Sequence, residues 1–143
     1  MKGKILIVDD YEYILSALKM MINALPSAYN FEVICSKDSK KALNLLKADN
    51  NINLILLDIM MPNIDGISMA KSIKLNPRTK NIPLVFISAK TEKDIMERAR
   101  KYSEGFLKKP FEIEQIREII DEFAFQKSNP SDLGYRCMEK ITG

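Results

Sequence analysis

The chain has 143 residues, 46% of them apolar and 29% charged, a balance typical of a folded domain rather than of a disordered or membrane-spanning polypeptide. Its net charge of +3 is spread over lysine-rich segments without arginine clusters or interleaved aromatics, which argues against direct nucleic-acid binding, and the lack of histidine removes imidazole acid–base chemistry and the common zinc sites. Cys35 and Cys137 have no CxxC spacing and read as reduced thiols, and no apolar run is long enough for a bilayer span or a signal peptide, so a cytoplasmic protein of one domain is expected.

Short apolar runs alternate with segments of helical period, the pattern of an α/β protein with a parallel sheet. Strands are predicted near 4–9, 31–35, 53–58, 83–88 and 105–108. The first helix carries Ile14, Leu15, Leu18, Met21, Ile22 and Leu25 on one face and ends at Pro26. The second carries Ala42, Leu43, Leu45 and Leu46 behind a cap at Asp38 or Ser39. The third is capped by Asp65 and buries Ile67, Ala70 and Ile73. Thr91 with Asp94 suggests a loose capping box for the fourth, and Ile113, Ile116, Ile119, Ile120 and Phe123 mark the fifth after Pro110-Phe111. The domain is expected to occupy residues 1–126. Residues 127–143 read as a tail or linker, or as a short helix through Leu133, Cys137, Met138 and Ile141.

The strand ends carry the chemistry. Ile5-Leu6-Ile7-Val8 runs into Asp9-Asp10, Leu54-Ile55-Leu56-Leu57 into Asp58, Leu84-Val85-Phe86-Ile87 into Ser88, and Phe106-Leu107 into Lys108-Lys109-Pro110. In a parallel sheet these ends share one edge, so three acids, a hydroxyl and an ammonium fall into one pocket. Three carboxylates held together repel one another unless a cation lies between them. Mg2+, which takes few carboxylates and keeps ligand positions for water and phosphate oxygens, answers that need. A phosphoryl group arriving on a carboxylate oxygen needs its charge neutralised by metal, ammonium and hydroxyl.

The stretches ILIVDD, LILLDIMMPNIDG, PLVFISA and GFLKKPF resemble the receiver domain of two-component response regulators over residues 4 to about 124. The resemblance implies a flavodoxin-like, doubly wound sheet of five parallel strands in the order 2-1-3-4-5 with five helices, an order for which a chemotaxis receiver is the general example. It implies Asp58 as phosphoacceptor, with Asp10 as direct metal ligand, Asp9 acting largely through water, and a metal-bound backbone carbonyl from Met60. Ser88 and Phe106 are the implied switch residues and Lys109, not Lys108, the matching lysine. Lys101-Tyr102-Ser103 departs from the small Ala-Gly-Ala run of many receivers, so a differently shaped loop is expected there. Phe106 stands where tyrosine is frequent.

The function implied is a phosphorylation-dependent switch that takes a phosphoryl group from a sensor histidine kinase or phosphotransfer protein and catalyses only its own phosphorylation and dephosphorylation. A downstream protein is expected to bind the face formed by residues 91–124, with a phosphorylation-dependent dimer as a further expectation and no membrane or nucleic-acid contact from this segment. Met60 and Lys90, two residues beyond Asp58 and Ser88, cannot accept a proton from water and are expected to lengthen the life of the phosphorylated form. Three alternatives stand beside this reading. One is an amino-terminal receiver joined to a DNA-binding or cyclic-nucleotide output domain. Another is a haloacid-dehalogenase-like phosphatase, against which Met60 stands at the position of the general acid. The third is a degenerate binding module, which would lack a site residue.

Overall fold

The computed structural model of the protein describes residues 3–49, 51–61, 65–125 and 136–138. Strands β1 (Gly3–Val8), β2 (Phe31–Ser36), β3 (Leu54–Asp58), β4 (Leu84–Ser88) and β5 (Gly105–Lys108) alternate with helices α1 (Glu12–Asn23), α2 (Ser39–Ala48), α3 (Gly66–Leu75), α4 (Lys93–Arg100) and α5 (Ile113–Ile119). All pairings are parallel, in the order β2-β1-β3-β4-β5. The expected doubly wound sheet is therefore present.

Alternation along the strands sorts the core into two layers. Ile5, Ile7, Leu54, Leu56, Val85, Ile87 and Leu107 face α1 and α5 through Leu18, Ile22, Ile116 and Ile119. Leu6, Val8, Ile55, Leu57, Phe86 and Phe106 face the other way, onto Ala42 and Leu46 of α2, Ala70 and Ile73 of α3, and Ala99 of α4. Burying each such side chain contributes about 1.5–3 kcal/mol. The central strands can be apolar on both faces only because helices cover both. α4 is anchored least. Ala99 is its one buried residue, with Ile95 and Met96 half-buried.

Asp38 caps α2, accepting from the N–H groups of Lys40 and Lys41, and Asp65 caps α3 through Ile67. The Thr91–Asp94 box does not form. Glu92 holds the N-cap position, so Asp94 lies in the first turn, where its charge suits the positive end of the helix. The capping box closes instead at α5, where the Glu112 N–H donates to the Gln115 side chain at 2.8 Å. The Lys101-Tyr102-Ser103 run winds down α4, with the Ser103 hydroxyl donating to the Ala99 carbonyl at 2.8 Å. Tyr102 packs against the second core layer.

The α5 helix continues into a π-helical turn over Ile120–Ala124. Arg136–Met138 then forms a short strand, β6, parallel to β5, with Phe106 opposite Cys137. A short helix was one expectation for this tail; at these three residues the backbone is extended and extends the sheet. The remainder of the tail expected over 127–143 lies outside the described residues.

Candidate functional site

The site forms where the neighbouring strands β1 and β3 leave the sheet. Asp9 follows β1 and is fully buried; Asp58 ends β3 and is 3% exposed; Asp10 is half-buried. The parallel register β1–β3 brings Val8 opposite Leu57, so the acids that follow emerge side by side. One carboxylate oxygen from each of Asp9, Asp10 and Asp58 lies within 4.8 Å of the others. The Asp10 Oδ1 atom is buried without a hydrogen-bond partner among the described residues. An orphaned carboxylate oxygen beside two others is a donor set suited to a hard divalent cation.

Lys109 supplies the opposite charge. Its ammonium donates to Asp9 Oδ2 at 3.1 Å and lies 3.8 Å from Asp58 Oδ1, and the side chain is mostly buried. The Lys109 N–H in turn donates to the Ser88 carbonyl at 2.9 Å, tying the residue to the end of β4, and the Lys109–Pro110 peptide is cis. Burial, first, and then the neighbouring Asp9 charge push the Asp58 carboxyl up to about 6. Lys109 and the Met60 N–H, which donates to Asp58 Oδ1 at 3.3 Å, pull it back only in part.

Ser88 is buried at the end of β4, where its hydroxyl accepts the Lys90 N–H at 3.0 Å. Phe106 lies inside the second core layer and is fully buried, so its ring is already turned inward. The Met60 side chain is half-exposed, two residues beyond Asp58, and Lys90 is exposed. The structure thus gathers Asp9, Asp10, Asp58 and Lys109 into one cluster, with Ser88 on the adjoining strand end and Phe106 beneath the sheet.

Two residues not singled out from the sequence shape the pocket. Gly66 opens α3 so close to the exit of β3 that a β-carbon there would lie 2.2 Å from the Asp58 carbonyl oxygen. Only glycine fits. Tyr11 donates its N–H to Asp9 Oδ1 at 2.9 Å, and its ring centroid lies 5.8 Å from the Lys109 ammonium. An aromatic directly after Asp9-Asp10 was the sequence signal available for it.

The family model described as response regulator receiver domain matches residues 5–121. The chain is 39% identical to the nisin biosynthesis regulatory protein NisR of Lactococcus lactis over 114 residues, which are 79% of this chain and 46% of that protein. It is 28% identical to the chemotaxis protein CheY of Pseudomonas aeruginosa over 127 residues, 88% of this chain and 98% of that one. Set against NisR, the chain spans about half the relative's length. Among solved structures, the chemotaxis protein CheY4 of Vibrio cholerae superposes with a TM-score of 0.76 at 21% identity, covering 86% of this chain and 99% of that one, a likeness of fold. With the order 2-1-3-4-5, the acidic cluster at the sheet edge and the family match over 5–121, the chain belongs to the response regulator receiver domains, the signal-transduction modules of two-component systems.

Proposed function

We propose that the protein is a phosphoacceptor switch in which Asp58 takes a phosphoryl group from the phosphohistidine of a sensor histidine kinase or phosphotransfer protein. The convergence of Asp9, Asp10 and Asp58 with Lys109 carries this reading. An Asp58 oxygen forms the new P–O bond as the P–N bond breaks, and the imidazole leaves with the electron pair and regains a proton. Asp9, Asp10 and Asp58, with the Met60 backbone carbonyl, would hold Mg2+, which when bound neutralises negative charge on the phosphoryl oxygens. Lys109 stands 3.8 Å from the acceptor and adds a second positive charge, at the cost of loosening its hold on Asp9. Positioning and charge neutralisation supply most of the rate in such transfers.

Ser88 is the hydroxyl that would reach the phosphorylated Asp58, and Phe106 the ring that responds. Phe106 is already buried, so phosphorylation would stabilise a ring position sampled beforehand rather than create one. The readout is the 91–124 face, where weakly anchored α4 gives the least resistance. Coupling of ~1–3 kcal/mol suffices to bias binding of a downstream protein or of a second copy. No substrate other than its own acyl phosphate is turned over, since Met60 stands where a hydrolase of this type would need a general acid. Among the described residues no helix is long and apolar enough to cross a membrane.

A second reading adds an output domain beyond this segment, and the chain's 46% share of NisR favours it. Both readings give Asp58 the same role. Chelation tests that role: labelling by acetyl phosphate should require a divalent cation and stop when EDTA is added. Undiminished labelling in EDTA would remove the metal from the account.

A further inference from the structure

We infer that Tyr11 is a positioning residue for phosphoryl transfer, holding the Lys109 ammonium in the pocket through the face of its ring; this rests on reading Asp58 as the acceptor. Tyr11 occupies the N-cap position of α1 in an extended conformation. Its main chain is fixed from both sides. The N–H donates to Asp9 Oδ1 at 2.9 Å, and the carbonyl accepts from Ile14 and Leu15 at 3.1 and 3.3 Å. The root of the side chain is therefore as well placed as the acid it touches.

The ring does not pack into the core. It is 51% exposed, so apolar burial alone gives a weak reason for a large aromatic here. What it does meet is Lys109, whose ammonium lies 5.8 Å from the ring centroid, inside the range over which a ring face attracts a cation. The Tyr13 ring lies beside it in a tilted pair, 5.5 Å between centroids. The ammonium thus has three neighbours, the Asp9 and Asp58 carboxylates and the Tyr11 ring.

The three contacts differ in what they permit. The bond to Asp9 is directional and must lengthen when Lys109 turns to a phosphoryl oxygen on Asp58. Attraction to a ring face is less directional than a hydrogen bond, so the ammonium can turn while it stays over the Tyr11 ring. Tyr11 therefore keeps the charge from escaping to solvent during the step in which Asp9 lets go.

Tyr11→Phe, Tyr11→Leu and Tyr11→Ala in the full chain separate the ring face from simple bulk. The first readout is the proton shift of the Lys109 ε-methylene in the unphosphorylated protein, which a ring face displaces upfield. The second is the rate at which acetyl phosphate with Mg2+ labels Asp58. The wild type and the Phe variant should share the displaced shift and label within about twofold of each other. Leu and Ala should lose the displacement and label about three- to tenfold more slowly, the size of an exposed to half-buried cation–ring contact. Leucine labelling as fast as wild type, or phenylalanine failing as badly as leucine, would overturn the proposal. A wild type that takes no label at Asp58 would sink the phosphoacceptor reading instead, and the methylene shift would still decide whether the ring holds Lys109.

Discussion

The Lys109 ammonium sits closer to Asp9, at 3.1 Å, than to the neighbouring Asp58, at 3.8 Å. Asp9 is fully buried, so the pair neutralises a charge that water cannot reach. The lysine thus has a structural role before any phosphoryl group arrives. Lys109→Ala should destabilise the metal-free protein by about 1–3 kcal/mol, because among the described residues Asp9 keeps only the Tyr11 N–H. Added Mg2+ should recover much of that loss by replacing the missing positive charge. Urea unfolding with and without Mg2+ measures both, and a variant as stable as wild type in EDTA would show that the pair contributes little.

The raised Asp58 carboxyl makes stability depend on pH. Its folded value, about 6, exceeds the ordinary 3.8, so the native protein binds more protons than the unfolded chain between these values. Stability from this group is therefore highest at low pH and declines as pH rises from about 4 to about 6, after which the full cost of the buried charge remains, roughly 3 kcal/mol at most. Asp58→Asn should remove this dependence and be the more stable protein at pH 7 without metal. The difference between the two melting curves, followed from pH 4 to 8, should grow and then level off. A constant difference would mean that Asp58 titrates normally.

Asp58 also depends on Gly66. A β-carbon at 66 would collide with backbone, the Asp58 carbonyl at 2.2 Å and Ile59 Cα at 2.7 Å, and backbone cannot rotate away as a side chain can. Gly66→Ala should cost about 1–3 kcal/mol through forced displacement of α3 from the strand end. It should also weaken Mg2+ binding, since the displaced strand end carries Asp58. Calorimetry of the variant tests the coupling, and a destabilised protein with unchanged affinity would separate helix packing from the site.

The acids were legible in the sequence because strand-length apolar runs locate the carboxyl ends of strands, and a parallel sheet aligns those ends. Asp38 and Asp65 were legible as caps for a local reason, their spacing to the helix starts. Features set by distant partners were not. Nothing local says that Lys109 favours Asp9, that Phe106 lies inward, or that Gly66 abuts the Asp58 carbonyl. Arg136–Met138 misled through Leu133, Cys137, Met138 and Ile141, whose spacing suits a helix. Three residues are too few to show a period of two, and their extended form comes from pairing with the open edge of β5.

Lifetime of the phosphorylated form is expected to follow Met60 and Lys90. Met60 is half-exposed, with its N–H on the Asp58 carboxylate, and Lys90 is tethered by its N–H to Ser88 with its side chain exposed. Neither offers an acceptor to orient water, so slow hydrolysis is expected. A Met60→Asn, Lys90→Glu double variant should lose its phosphoryl group about tenfold faster, a barrier change of about 1.4 kcal/mol. Equal decay in the two proteins, followed after removal of the phosphodonor, would place the control elsewhere.

Mass measurement after treatment with acetyl phosphate and Mg2+ bears on the central claim most directly. The wild-type chain should gain one phosphoryl group, mapped to Asp58 after borohydride trapping, and Asp58→Asn should gain none. A label of the same extent in Asp58→Asn would contradict the assignment of the acceptor.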